Sequence, residues 1–496
     1  MDLAERLSHI LSIDPSSWAL EYKNEKYSWG QLAESARQIN AAIGRAGIAP
    51  HDVVGWSALN EPFAVATQVA LALSDHCAAI LNPHLAPKVL AEEILLQRFP
   101  AIVGSREFWS IAGVAEAARE CGTAGIEVEW DGRTATARNR ADLLQKGHGP
   151  FREPRPDLQS ERVSSGTTGL PKRIPESKVA ILKTLEIASR DRASSIADVR
   201  LKSSPSIVFR SLAHAGSFSS MLALFSGRPI VLQEKFSVEE TVAAIATYRP
   251  KAISLVPTAI KMIWDADVPV EQLSSLVAIR AGTAPLDPRL QEEFEEKYHI
   301  PILIDYGATE FGGVTTWTID DHRAFAKSKR GSVGRAVPNA QIRVRDPDSG
   351  ELALPGRSGI LEVKIAERSS DWVATNDLAS LDADGFLFIH GRADDAIVRG
   401  GFKILPEEVS NALRRHPAIQ DVAVVGIADK RLGQVPVAVI ELRPGFNAPG
   451  KEELKSFARE YLTPYQVPVD YKITDRLPRS ASMKVIRPEV VKIAEG

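Results

Sequence analysis

The sequence predicts an α/β fold: a large N-terminal α/β part, a β-rich stretch after it and a small α+β unit at the C-terminal end. Three observations predict it. Short apolar runs alternate with helical patterns as far as Ile304. Turn clusters separate strand-like runs beyond Gly331. A helix–strand–strand–helix series follows Gly391. A chain of 496 residues has room for this, at roughly 150 residues per domain-sized unit.

In chain order, Met1 to Ile13 carries Asp2, Glu5 and Arg6 and lacks the apolar core of a signal peptide. Val53–Trp56, Ile207–Phe209, Ile230–Leu232, Ile253–Val256 and Ile302–Ile304 have the length and composition of strands. Phe63 to Leu81 is the longest apolar stretch. Gln68, Asp75 and His76 interrupt it, so it reads as a buried helix rather than a membrane span. Ser237 and Glu240 form a capping-box pattern, and Val238, Val242 and Ile245 share the helical face that follows. Strands alternating with helices in this way imply a parallel sheet.

Beyond Gly331 the pattern becomes antiparallel. The turn cluster 346–350 separates two strand-like runs. Asp384-Gly385 is a hairpin signal between Leu378–Leu381 and Phe386–Ile389. After Gly391, a helix opens at Pro406, strands lie at Val422–Val425 and Val437–Leu442, and a second helix covers about Glu452 to Leu462. There is no internal repeat and no low-complexity tract.

Composition narrows the function. Charged residues make up 25% and the net charge is −3, which argues against a nucleic-acid binder. Cys77 and Cys121 are isolated, with no C-x-x-C pair, so neither a metal cage nor a disulfide framework is expected. A reducing, cytoplasmic location is the expectation.

The most informative stretch runs Ser164-Ser165-Gly166-Thr167-Thr168-Gly169-Leu170-Pro171-Lys172. Its glycines let backbone N–H groups approach phosphate oxygens, its hydroxyls donate hydrogen bonds and its lysine neutralises charge. It is not a Walker A loop, which needs G-K-[ST] after the second glycine. Taken alone, such a run also fits a flexible surface loop.

The whole string resembles the phosphate-binding loop of the adenylate-forming superfamily, which includes acyl- and aryl-CoA synthetases, adenylation domains of peptide synthetases and beetle luciferases. Further segments resemble that family in order: Arg280-Ala281-Gly282-Thr283-Ala284-Pro285-Leu286, then Tyr306-Gly307-Ala308-Thr309-Glu310, then Gly331-Ser332-Val333-Gly334. Thr375-Asn376-Asp377, Gly391-Arg392-Ala393-Asp394-Asp395 and Leu477-Pro478-Arg479-Ser480-Ala481-Ser482-Met483-Lys484 complete the series. The resemblance covers the chain from about Tyr27 to Pro488. Any one of these residues alone would be an ordinary surface acid, lysine or half-buried aromatic. It is their order that carries the resemblance.

The resemblance implies a fold and a site. The fold would have an AMP- and acyl-binding domain over 1–391, a hinge at 392–395 and a mobile C-terminal lid over 396–496. ATP would lie on Ser165, Gly166, Thr167, Thr168, Gly169 and Lys172. Gly282, Thr283, Ala284, Pro285, Asp305, Tyr306 and Gly307 would line the adenine side, with Tyr306 stacking on the base. Thr309 would touch the α-phosphate, Asp377 the ribose hydroxyls, and Arg392 would help orient ribose and phosphates. Glu310 and Thr168 would hold Mg²⁺. The catalytic set would be Lys484, Thr168, Glu310 and His214.

His214, Ala215, Ala281, Gly282, Gly307 and Gly312 would form the acyl pocket. His214 also fits a core histidine bonded to a backbone carbonyl, and both readings stand. With Ala215, Gly216 and Ser217 nearby and Phe311, Gly312 and Gly313 after the tyrosine motif, the pocket reads as mainly apolar. It suits an aromatic or medium-chain acid. Gly400 and Gly401 would line a channel for the pantetheine arm of coenzyme A, and Asp394 would be the pivot.

The chemistry is coherent. A carboxylate becomes a good electrophile as a mixed anhydride with AMP. Forming it brings a carboxylate against the α-phosphate, so cations must screen two anions, and Lys172, Lys484 and Mg²⁺ suit that role. The expected reaction is acyl-AMP formation followed by transfer to CoA. A free-standing enzyme loading a separate carrier protein is the alternative acceptor reading. Luciferase-type oxidation and a non-catalytic nucleotide binder lie further off. A homodimer is an assembly the sequence leaves open.

Arg173 and Ile174 stand where the family has glycine and a small apolar residue. Asn376 and Met483 each replace a glycine, and Gln434 replaces a common glutamate. None removes a side chain the chemistry needs. Methionine at 483 is unfavourable if the loop needs a glycine-like backbone.

Overall fold

The computed structural model describes residues 2–163, 172–188, 195–308, 311–347, 349–366, 371–480 and 483–496. The chain divides into two compact units. One comprises residues 1–253 with 269–276, and the other 254–268 with 277–496.

The first unit holds the parallel sheet. Strand Val53–Ser57 pairs in parallel with Cys77–Leu81 on one side and Ala101–Ser105 on the other. Ala124–Trp130 extends the sheet beyond Ala101–Ser105, and Leu158–Val163 extends it beyond Cys77–Leu81, both in parallel. Antiparallel strands Ala135–Asn139 and Arg173–Ser177 close its edges. The central strands are buried along their whole length, which is why they read as unbroken apolar runs rather than alternating ones.

The stretch read as one helix from Phe63 to Leu81 is in fact a helix and a strand. Helix Pro62–Leu73 ends at Ser74, and strand Cys77–Leu81 follows. Asp75 takes a left-handed φ of 56° between them. The polar residues Asp75 and His76 therefore mark a turn, not a flaw in a longer helix.

A second sheet in this unit joins Ser206–Val208, Ile230–Leu232 and Trp18–Tyr22 in parallel, with Glu25–Ser28 antiparallel at the end. Ser237 caps helix Val238–Tyr248 by accepting from the Glu240 N–H at 3.3 Å, and Val242 and Ile245 face the core.

In the second unit, Ala278–Ala281 runs parallel to Ile302–Ala308, and Gly312–Thr316 returns antiparallel. Four antiparallel strands follow: Ala340–Arg345, Ser358–Ile365, Val373–Leu381 and Leu387–Arg392. The Asp384-Gly385 hairpin is present, with Leu381 opposite Leu387. The smaller C-terminal domain has strands Ile397–Arg399, Phe402–Ile404, Ile419–Asp429, Gly433–Leu442 and Asp470–Thr474. Helices Pro406–Leu413, Lys451–Tyr461 and Arg487–Glu495 accompany them, around Ile404, Leu413, Val422 and Ile440 on one core patch and Val437, Leu477 and Val490 on another. No helix among the described residues is long and apolar enough to cross a membrane.

Candidate active site

The sheet of the second unit builds one side of the site. Tyr306 lies on strand Ile302–Ala308, opposite Thr315. The next residue, Gly307, cannot carry a side chain, because a Cβ there would sit 2.2 Å from the Gly312 carbonyl oxygen. A register shift falls between Tyr306 and Gly307, and Gly312 answers it with a φ of +79°. The glycines of this motif thus let two strands close tightly just after the tyrosine. Gly282 is fixed in a similar way, since a Cβ would come within 2.9 Å of the Asp305 carbonyl. Thr283 beside it is left-handed, with φ +74°. The Asp305 carboxylate is held by Arg280 Nη1 at 2.7 and 2.9 Å and by the Thr316 hydroxyl.

The Tyr306 hydroxyl donates to a carboxylate oxygen of Asp377. Burial, and then the adjacent Asp377 charge, push the phenol well above its usual range, so it remains a hydrogen-bond donor. The Asp377 N–H donates to the Thr375 hydroxyl at 3.0 Å, and that hydroxyl donates to the Leu361 carbonyl at 2.9 Å. Asp377 is also the cross-strand partner of Arg392. Two motifs far apart in sequence, Tyr306 and Thr375-Asn376-Asp377, therefore meet at one carboxylate.

The same edge reaches the expected pivot. The Arg392 guanidinium grips Asp394 through Nε at 2.9 Å and Nη2 at 3.1 Å. It holds the Asp394 carboxyl below the usual carboxylate range. Asn376, which stands where a glycine was expected, donates to the same carboxylate at 3.3 Å. Asp395 pairs with Arg487, at the start of the last helix. The two acids of the 3₁₀ turn Ala393–Asp395 are thus tied to different partners. Nothing in the sequence signals the Asn376–Asp394 or Asp395–Arg487 contacts, because the partners lie in separate segments.

Lys484 is exposed on a tight loop. Its N–H donates to the Ser480 hydroxyl at 3.3 Å and its carbonyl accepts from the Ser480 N–H at 2.8 Å. Met483 has φ +64°. The position does require the left-handed conformation that glycine adopts freely, and methionine adopts it at a cost. The Met483 carbonyl accepts from Arg479 Nη1 at 3.2 Å, and Arg479 is itself paired with Asp421. Burial works against the Asp421 charge, but Arg414 and Arg479 outweigh it and lower its pKa. This chain of ion pairs braces the loop behind Lys484.

Gly400 and Gly401 have φ of +57° and +90° and join two short strands in which Arg399 faces Phe402. A two-residue hairpin turn with both φ positive demands glycine or its closest substitutes, whatever else passes nearby.

In the first unit, His214 occupies the N-cap position of helix Ala215–Phe225 without a side-chain capping bond. Its N–H donates to the Ser211 carbonyl at 2.9 Å, and its carbonyl accepts from the Ser217 hydroxyl at 2.8 Å. Ala215 is half-buried. Gly216 is small for backbone reasons: a Cβ would lie 2.0 Å from the Arg210 carbonyl oxygen. Ser217 is buried. Gly216 therefore serves the tight start of the helix. The cavity beneath, lined by Gln68, Gln159, Ser160, Ser217 and Met221, holds about 20 Å³, enough for one water.

Lys172 is exposed and immediately precedes strand Arg173–Ser177. Ser165, Gly166, Thr167, Thr168, Gly169, Thr309 and Glu310 lie outside the described residues. Ala281 is buried, and Ala284 and Pro285 follow Thr283 ahead of helix Pro288–Tyr298.

Comparison with known proteins identifies the family and the fold. The model of the AMP-binding enzyme family matches residues 11–366, and that of the AMP-binding enzyme C-terminal domain matches residues 408–484. The chain is 28% identical over 515 residues to an indoleacetate–CoA ligase of Aromatoleum aromaticum, covering 99% of this chain and 98% of that protein. It is 29% identical to a long-chain-fatty-acid–CoA ligase of Bacillus subtilis, over 68% of this chain and 62% of that protein. Among solved structures, ATP-bound MatB of Rhodopseudomonas palustris superposes with a TM-score of 0.81 at 21% identity over 99% of both chains. The o-succinylbenzoate CoA synthetase of Bacillus subtilis, with its acyl-adenylate, gives 0.76 at 22% identity over 98% of this chain and 97% of that one.

Proposed function

This chain belongs to the AMP-binding enzyme family, and we propose that it condenses an apolar carboxylic acid, aromatic or of medium chain length, with ATP to give acyl-AMP and pyrophosphate and then passes the acyl group to CoA. The Tyr306–Asp377 pair carries this reading. It places a carboxylate suited to two vicinal hydroxyls beside an aromatic face suited to a purine. Coenzyme A as acceptor and an apolar acid as substrate are supported by the relatives, which are CoA ligases of indoleacetate and of long-chain fatty acids.

The residues divide the work as follows. Asp377 accepts from the ribose hydroxyls, and its second task, accepting from Tyr306, fixes its rotamer. Lys484 brings an ammonium to the carboxylate and α-phosphate as they approach, where fixed positive charge lowers the barrier most. Lys172 holds the outer phosphates. Glu310 and Thr168 would hold Mg²⁺, which would supply further neutralisation of the ATP phosphates. The lid over 396–496 would turn about Asp394 between the two half-reactions. That turning would let Lys484 serve the first half-reaction and the Gly400-Gly401 turn the second.

The test is Lys484→Ala with the half-reactions measured apart. Adenylate formation should fall by at least ~10²-fold, the scale of one lost electrostatic contact to a transition state. Thioester formation from supplied acyl-AMP should survive far better. Equal loss in both steps would refute the role given to Lys484. Replacing CoA by a phosphopantetheinylated carrier protein in the same assay separates the two acceptors.

A further inference from the structure

The departure at Arg173 has a physical setting. Strands Leu158–Val163 and Arg173–Ser177 are antiparallel, and Val163 opposite Arg173 is their last pair before residues 164–172. Arg173 is thus the closing residue of a hairpin neck and the covalent neighbour of Lys172. A bulky cation at this point would be expected to turn outward. Instead its side chain is 9% exposed.

Its surroundings explain how it is held. Arg173 Nη2 donates to Glu93 Oε1 at 2.5 Å, and the Glu93 side chain is 2% exposed. The guanidinium lies 5.1 Å from the centroid of the Phe99 ring, itself fully buried. Glu161 lies 4.0 Å away, but it is already engaged by Arg152 in a bidentate pair at 2.8 and 2.7 Å. Arg173 Nε and Nη1 and Glu93 Oε2 make no hydrogen bond among the described residues. The other strand of the neck is gripped in a similar way. Arg162 Nε donates to Glu176 at 2.8 Å, and its guanidinium covers the Phe218 ring at 5.0 Å.

A buried ion pair with unsatisfied donors is a poor source of stability, because desolvation offsets the attraction. What such a pair does supply is a unique position. The Cα of Lys172 lies one peptide unit, about 3.8 Å, from the Cα of Arg173. Anchoring residue 173 in two directions, by charge to Glu93 and by stacking on Phe99, therefore fixes the origin of the lysine side chain.

The structure assigns Arg173 as a positioning residue for Lys172: its buried pairing with Glu93 over Phe99 pins the neck of the phosphate-binding segment and sets where the lysine ammonium meets the phosphate oxygens of ATP. This rests on the reading that Lys172 contacts those phosphates.

The test is direct binding of MgATP and of adenosine to the full chain by titration calorimetry, with no acid present. The double variant Glu93→Leu, Arg173→Met removes both charges together, so no lone charge is left buried. A misplaced lysine should raise the Kd for MgATP by about fivefold or more, while the adenosine Kd stays within about twofold. The Tm should stay within about 3 °C of wild type. Arg173→Lys keeps the charge but loses the planar fork and the stacking. It carries the test alone if the double variant does not fold, with the same split expected at about threefold. Unchanged MgATP affinity would overturn the assignment, and so would equal weakening of MgATP and adenosine, which marks general damage. Lys172→Ala, titrated in parallel, separates the two levels. If it leaves MgATP affinity unchanged, the phosphate reading of Lys172 falls and the assignment with it. If it weakens MgATP and the double variant does not, only the role of Arg173 falls.

Discussion

Met483 offers a sharp test of how the Lys484 loop works. Its φ of +64° places an L-residue with a long side chain in the left-handed region. That conformation costs about 1–2 kcal/mol. Met483→Gly removes the cost but gives the unfolded chain more freedom, worth about 0.5–1 kcal/mol. The net expectation is a gain of about 0–1.5 kcal/mol, less a little for the contacts of a partly buried methionine. The hydrogen bonds of the turn, Met483 N–H to Ser480 at 2.8 Å and Ser480 N–H to Lys484 at 2.8 Å, are backbone bonds and survive. Met483→Val is the opposite case. A β-branched residue at this φ is a genuine outlier, so the turn must open and Lys484 moves with it. Carboxylate-dependent pyrophosphate release and thermal unfolding of both variants make the assay. Met483→Gly should keep adenylation within about threefold of wild type, whereas Met483→Val should lose at least about tenfold through misplacement of the lysine. A valine variant with wild-type activity, or a glycine variant destabilised by more than about 1 kcal/mol, would refute the argument from backbone conformation.

Other outcomes follow from the same geometry. Asp377→Ala should raise the KM for ATP and narrow the preference for ATP over 2′-deoxy-ATP; an unchanged ATP dependence would refute the ribose role given to Asp377. Asp394→Pro fixes φ near −65° at the pivot. Pyrophosphate release in a single turnover should persist while transfer to CoA collapses, and wild-type rates in both steps would place the pivot elsewhere. Asn376→Gly cuts only the exposed 3.3 Å contact to Asp394 and should leave both steps within about threefold. Burial holds His76 and His390 below the usual histidine range. Between their lowered values and the unfolded value of about 6.5 the unfolded chain binds more protons, so these two residues make stability rise with pH there and fall on acidification. Tm measured from pH 7.5 to 5.5 should show a shallower acid decline in His76→Gln and His390→Gln than in wild type, and an unchanged slope would contradict it.

Much of this was legible in the sequence, for identifiable reasons. Val53–Trp56 and Ile302–Ile304 announce themselves because these strand segments are buried on both faces and carry almost only apolar side chains. The Asp384-Gly385 turn was visible because few residue pairs accept its backbone. The helix–strand break inside Phe63 to Leu81 was not, since a buried helix and a buried strand have the same composition and only a short turn parts them. The Tyr306–Asp377 bond was beyond reach for a different reason: its partners lie 71 residues apart on strands of two different sheets, and no local pattern encodes such a side-chain contact. Met483 is intermediate. Its disagreement with a glycine position was readable, and the left-handed φ supplies the cause.

The central claim, activation through an acyl-adenylate followed by thiol transfer, is tested most directly by identifying the nucleotide product. The purified chain would be incubated with MgATP and a panel of aromatic and medium-chain acids, with and without CoA, and the products resolved by mass spectrometry. The account predicts carboxylate-dependent pyrophosphate release without CoA, and AMP with acyl-CoA in equal amounts once CoA is added. ADP and inorganic phosphate in place of AMP and pyrophosphate would contradict it.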